Sequence, residues 1–324
     1  MNSGGTRNFL KKIYAILLLS LLLHIACRKD QENSDSGIDI KNLLPDTGQT
    51  ISYTSTKGED ADFTINPPSY KDNGDETITD NVTELMWQKA DGGEMTFENA
   101  FLYVKSVNLG GYSDWRLPTS FELFSINSYD RVNPALNINY FTITTAEYWW
   151  TSETRADDAS MVWVVNAGGG VGAHPKSETI SAGGVKHFNT RVVRNPKTNT
   201  GITERYKDNG DGTISDRLTG LMWQKNQSAK TMSWEDALSY ATNLTLAGKS
   251  GWRLPNVKEL QSLNDTKLIK PSFNKSYFTG ISSGNYWSST TLVQTPTKAW
   301  DINVDYGIVS YSDKTLKENV LCVK

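Results

Sequence analysis

Tyr70-Lys71-Asp72-Asn73-Gly74-Asp75-Glu76-Thr77-Ile78-Thr79-Asp80 returns later in the chain as Tyr206-Lys207-Asp208-Asn209-Gly210-Asp211-Gly212-Thr213-Ile214-Ser215-Asp216. The double course continues outward from there. Leu85-Met86-Trp87-Gln88-Lys89 recurs as Leu221-Met222-Trp223-Gln224-Lys225, and Trp115-Arg116-Leu117-Pro118 as Trp252-Arg253-Leu254-Pro255. Trp150-Thr151-Ser152 recurs as Trp287-Ser288-Ser289, and Trp163 answers Trp300. Constant order and spacing over so many motifs mean one duplicated domain, copy one at residues 70–194 and copy two at 206–324; two units are too few for a solenoid. Residues 195–205, polar with a proline and a glycine, read as the link between them. A chain of 324 residues accommodates two domains of ordinary size, and ten Trp, fourteen Tyr and ten Phe supply the aromatic surface for their cores.

Each copy reads as the same run of elements. Asn-Gly at residues 73–74 and 209–210 favours positive φ and joins two short strands as a hairpin. An amphipathic helix follows, capped by Thr96 in copy one and Ser233 in copy two, with Phe97, Ala100, Phe101, Val104 and Val107 on one face and Trp234, Ala237, Leu238, Ala241 and Leu244 repeating it. A second helix begins after Trp-Arg-Leu-Pro, where Thr119 with Glu122 and Asn256 with Glu259 stand at capping-box spacing. The Trp150 and Trp163 segments and their counterparts read as strands. Helices and strands without βαβ alternation give an α+β class.

The motifs that carry a resemblance run in order from Asp208 to Ser289: Asp-Asn-Gly-Asp-Gly-Thr-Ile, Thr-Gly-Leu-Met-Trp-Gln, Ser-Trp-Glu-Asp-Ala, Gly-Trp-Arg-Leu-Pro and Tyr-Trp-Ser-Ser. The series resembles the Lcl C-terminal (DUF1566) family, and copy one follows it with Glu76 and Glu84 in place of Gly212 and Gly220. The resemblance implies relatives with C-type-lectin-like and formylglycine-generating-enzyme-like folds. The expectation is therefore two tandem C-type-lectin-like α+β domains, each a mixed sheet with two flanking helices and a loop-rich face. It also implies a binding module, not an enzyme, recognising glycosaminoglycan or another surface glycan. Two departures qualify this: the collagen-like region of Lcl is absent, and so are the C-type-lectin calcium signatures Glu-Pro-Asn, Gln-Pro-Asp and Trp-Asn-Asp. Formylglycine-generating activity would need a metal-binding cysteine pair, and Cys322 stands alone once Cys27 is set aside.

No catalytic residues are singled out. The histidines are His24, His174 and His187, and no Ser-His-Asp or Cys-His set repeats. No cofactor, metal or nucleic-acid partner is expected. The two Asp-Asn-Gly-Asp runs lack the alternate ligands of an EF-hand loop and read as hairpin turns, calcium by another geometry staying open. Charge separates the copies: copy one holds ten Lys and Arg against sixteen Asp and Glu, a net −6, and copy two fourteen against eleven, a net +3. Lys258, Lys267, Lys270 and Lys275 are thus the candidate polyanion-binding residues, against the competing reading of a solvated lysine-rich surface. Most tryptophans read as core, with Trp149 and Tyr286 as candidate ligand-face aromatics. Arg116 and Arg253 read as structural partners of Glu122 and Glu259. A protein-binding envelope component and an unrecognised enzyme are the alternatives.

The start of the chain carries Arg7, Lys11 and Lys12, then an apolar run from Ile13 to Leu23, then His24-Ile25-Ala26-Cys27. Residues 1–26 read as a signal peptide, and Cys27 resembles the lipidated cysteine of a bacterial lipobox, with His24 where an aliphatic residue is usual. A plain signal peptide or signal anchor is the competing reading. Lipidation implies a cell-envelope protein tied to a membrane by its lipid, with Arg28-Lys29-Asp30-Gln31-Glu32 pointing to the outer membrane. Residues 27–69, rich in Asp, Ser, Thr and Gly, read as a tether and a lead-in to copy one.

Overall fold

A computed structural model of the chain describes residues 44–142, 146–178, 187–195 and 204–324. The basic start, the apolar run, Cys27 and most of the link at 195–205 lie outside the described residues. Copy one contains β1 (Tyr70–Asp72), β2 (Thr77–Asp80), β3 (Met86–Gln88), α1 (Phe97–Ser106), α2 (Ser120–Ser125), β4 (Ala146–Arg155), β5 (Asp158–Asn166), β6 (Val171–Pro175), β7 (His187–Asn189) and β8 (Val193–Arg194). Copy two contains β9 (Tyr206–Asp208), β10 (Thr213–Asp216), β11 (Met222–Gln224), α3 (Trp234–Asn243), α4 (Val257–Gln261), β12 (Asn285–Thr291), β13 (Lys298–Asn303) and β14 (Ile308–Asp313). The fold is mixed α/β, mostly sheet with few helices, in two repeats.

Local chemistry accounts for the element boundaries. Gly74 and Gly210 take φ of 78° and 74° at the tips of the β1–β2 and β9–β10 hairpins, a conformation glycine adopts without a Cβ penalty. Lys89 bonds Asp72 at 2.7 Å and Lys225 bonds Asp208 at 2.6 Å, so these loop carboxylates are already engaged in holding the hairpins. Thr119 and Asn256 form full capping boxes with Glu122 and Glu259. The same glutamates accept two bonds from one arginine each: Arg116 at 2.8 and 2.6 Å, and Arg253 at 2.6 and 2.5 Å. Each pair fixes the start of its short helix against the preceding Leu-Pro.

Copy one's departures from the motif leave strain. Glu76 sits at φ 65° where copy two has Gly212 at 89°. A left-handed non-glycine residue costs roughly 1–2 kcal/mol, part of which glycine's larger unfolded-state entropy offsets. Glu76→Gly should therefore stabilise the protein by about 1 kcal/mol, read as a higher urea midpoint; an unchanged or lower midpoint would contradict the strain.

The sheets join the copies. Each has a small antiparallel sheet of its own, β1-β2-β3-β8 in copy one and β11-β10-β9 in copy two. The large sheet is shared: seven strands in the order β12-β13-β14-β6-β5-β4-β7, antiparallel except where β7 runs parallel to β4. This corrects the expectation of one mixed sheet per copy. β6 and β14 are equivalent strands, and they meet antiparallel at Val171 and Val309, so the repeats abut as the halves of an isologous dimer would. Pairing covers two edges that separate domains would leave open. The core is continuous too, running from Trp163 and Val171 to Trp300 and Val309, with Tyr129 of copy one edge-on to Trp300 of copy two at 5.1 Å.

Residues 44–69 serve both copies as a keystone, which revises the reading of tether and copy-one lead-in for this part of the segment. Gln49 donates to the carbonyls of Tyr129 at 3.0 Å and Thr291 at 2.6 Å, bridging the repeats. The Asp60 carboxylate accepts from Thr47 at 2.8 Å and from Thr290 at 2.6 Å, while Thr291 bonds Glu59. The segment also covers α3, where a Cβ on Gly58 would meet Thr242 at 2.8 Å. Copy two's Leu238 is accordingly buried, whereas its counterpart Phe101 on α1 is 42% exposed.

Candidate functional site

The residues singled out by sequence fall in three kinds of place. Lys258 is completely buried on α4, and its ammonium donates to the Asp46 and Ser125 carbonyls, each at 2.8 Å. It is thus a structural cation holding the keystone and copy one to copy two, and it cannot reach a polyanion; the surface assignment is corrected. Burial pulls its pKa down to about 8, with Asp46 the leading opposing charge. Trp149 and Tyr286 are 3% and 0% exposed, which corrects their assignment to a ligand face. They alternate along β4 and β12 with Trp150 and Trp287, and both faces of this sheet are covered, so either direction leads into core. The Tyr286 hydroxyl is spent on Gln227 and the Ser282 backbone.

The other three lysines are exposed. Lys267 borders a cavity of about 430 Å³ together with Glu153 and Asp265, so opposing charges share that surface. Lys270 lies over the Tyr306 ring at 5.4 Å, and Lys275 is exposed. The structure does not make one basic site of the four.

A groove at the seam of the large sheet has a different character. β6 and β14 pair at a single position, and beside it lies a groove of about 380 Å³ to which both copies contribute. Tyr148, Asn166 and His174 come from copy one, and Gln294, Tyr311 and the edge of Trp300 from copy two. Gly168, Gly170 and Gly172 are among its lining residues, and neither lysine, arginine nor carboxylate lines it. Tyr148 stacks on Phe188 at 4.9 Å, 13° from parallel, and His174 lies against both rings while bonding Glu178 at 3.0 Å. Tyr311 stands edge-on to Trp300 at 5.5 Å and is 43% exposed. Aromatic faces beside amides that both donate and accept are the chemistry that receives a polyhydroxylated ring.

The Lcl C-terminal domain family matches residues 76–193 and again 212–324. The chain belongs to this family. Its two tandem copies of the Lcl C-terminal domain account for all the strands of the large sheet and therefore for both walls of the groove. A search of the curated proteins found no match. Among the described residues, no group of three or more His, Cys, Asp or Glu side chains is arranged for a metal, and no helix is long and apolar enough to cross a membrane.

Sequence reading missed the groove because its walls are not a motif. Gln294, Asn166 and Tyr311 lie outside the repeated signatures. The available signal was where the copies differ: Tyr148 and His174 occupy positions that are Asn285 and Ser312 in copy two.

Proposed function

We propose that this chain is an envelope-anchored, non-enzymatic lipoprotein that binds glycan in the seam groove, on a C-type-lectin-like scaffold tied through Cys27 to the outer membrane. The observation that carries the reading is the groove's lining: aromatic and amide side chains supplied jointly by both repeats, without formal charge of its own from lysine, arginine or carboxylate. This shifts the ligand class from polyanions such as glycosaminoglycans, favoured by the lysine count, toward neutral or weakly charged saccharides. Binding of that kind depends little on ionic strength, whereas lysine-driven binding weakens as salt rises.

The test is a glycan array of neutral oligosaccharides and heparin-like polymers, probed with the full chain at low and physiological salt. Neutral hits that survive salt, and that Tyr311→Ala or Gln294→Ala weakens about tenfold, equivalent to about 1.4 kcal/mol, support the groove while the melting temperature stays put. Salt-sensitive heparin binding indifferent to both variants would overturn it.

One observation favours a protein partner as a second reading. On α1, Phe101 and Leu102 are 42% and 62% exposed, on the helix equivalent to the one the keystone covers in copy two. Silence across the array, with a partner captured only when both residues are intact, would transfer the proposal to that face.

A further inference from the structure

The copies differ in kind at one place on the face of the large sheet that carries Trp150 and Trp287. Aligning Trp150 with Trp287 and Trp163 with Trp300 sets Tyr148 against Asn285 and Val164 against Asp301. The β5–β6 and β13–β14 registers, Val162 opposite His174 and Ala299 opposite Ser312, set His174 against Ser312. The backbone bonds Met95 N–H to Phe188 carbonyl and Met232 N–H to Glu318 carbonyl, both 2.9 Å, set Phe188 against Glu318. Copy one thus fills this place with stacked Tyr148, His174 and Phe188 beside Val164. Copy two carries two carboxylates, a hydroxyl and an amide in the same four positions.

The carboxylates are buried and short of partners. Asp301 is 0% and Glu318 7% exposed. Neither Asp301 oxygen nor Glu318 Oε2 has a hydrogen-bond partner of ordinary geometry. The Ser312 hydroxyl lies close enough to act on both and the Asn285 amide on Glu318, and no lysine or arginine is among the groups acting on either. Asn285 and Ser312 are only partly buried, so they leave the place a path to solvent. An apolar pair works here in copy one, so the fold itself does not require acids. Buried carboxylates with so few donors and no counter-charge are strongly disfavoured unless something binds them.

We propose that Asp301 and Glu318 hold a hard divalent cation of the calcium class, with the Ser312 hydroxyl as a third protein oxygen and water completing the shell. Two carboxylates and a hydroxyl make a sparse site, with affinity in the range of extracellular modules, roughly 0.1–1 mM.

The test uses the full chain with calcium and with terbium, whose emission nearby Trp287 would sensitise. Millimolar calcium should raise the melting temperature at pH 8, and terbium should luminesce and be displaced by calcium. Asp301→Val with Glu318→Phe installs copy one's own solution and should remove both responses while leaving the fold intact. Asp301→Asn with Glu318→Gln keeps the shapes should that pair fail to fold, and should remove them as well. No response in the unaltered chain at pH 8, or a response that survives these substitutions, would overturn the site. A melting temperature that rises on acidification alone, indifferent to either cation, would show that the pair holds only protons.

Discussion

Lys258→Ala should destabilise the protein by about 3–5 kcal/mol, the range for removing one partner from a buried charged network. The Lys258 ammonium is the donor to two carbonyls from different parts of the fold, Asp46 in the keystone and Ser125 at the end of α2, each at 2.8 Å. Asp46, Asp80, Asp60 and Asp130 all act on it. Truncation would leave both carbonyls short of a donor, open a cavity beneath α4 and remove the cation those carboxylates face. Lys258→Met keeps most of the packing and loses the charge, so it should fall between alanine and the unaltered chain. Exposed Lys267→Ala and Lys275→Ala should stay within about 0.5 kcal/mol. Urea unfolding of the four variants checks the order, and Lys258→Ala behaving as mildly as Lys275→Ala would refute the keystone role.

Why Lys258 looked like a surface residue bears on what sequence can tell. The parts set by local chemistry were legible: the duplication, the Asn-Gly hairpins, the helix caps, and the Arg253–Glu259 pair that six residues of separation placed in reach. Even all-round burial of a helix is legible when the helix is long and its apolar stripe is wide. α4 has five residues, Val257–Gln261, all buried, and carries Lys258, Glu259 and Gln261. Its cover comes from residues 44–69 and from copy one, far away in sequence. Trp149 and Tyr286 misled for a related reason. Alternation along a strand tells which residues share a face, but not whether both faces are covered. The groove was illegible because it depends on the pairing of β6 with β14, which rests on Val171 opposite Val309 and has no signature in either strand.

Stability should also fall as the pH rises from 5 to 8, by several kcal/mol when measured with a chelator present. Burial raises the carboxyls of Asp60 to about 7, Asp301 to about 6 and Glu318 to about 8. For a carboxyl raised in the folded state, the folded form holds its proton over a window in which the unfolded form has released it. Its contribution is complete below the ordinary value and is lost as the pH climbs through the raised one, at up to about 1.4 kcal/mol per pH unit for each group. The Asp301 window closes near pH 6, that of Asp60 near 7 and that of Glu318 near 8, so the losses overlap across this range. Lys258 acts with the opposite sign and later: lowered to about 8, it adds stability only as the pH rises from there toward the ordinary lysine value. A stability minimum near pH 8 follows. Chemical denaturation across the range would reveal it, and Asp301→Val with Glu318→Phe should flatten the decline between pH 6 and 8 while leaving the share due to Asp60. A profile level from 5 to 8 in the chelated protein would mean that these carboxyls already have partners or solvent enough to ionise.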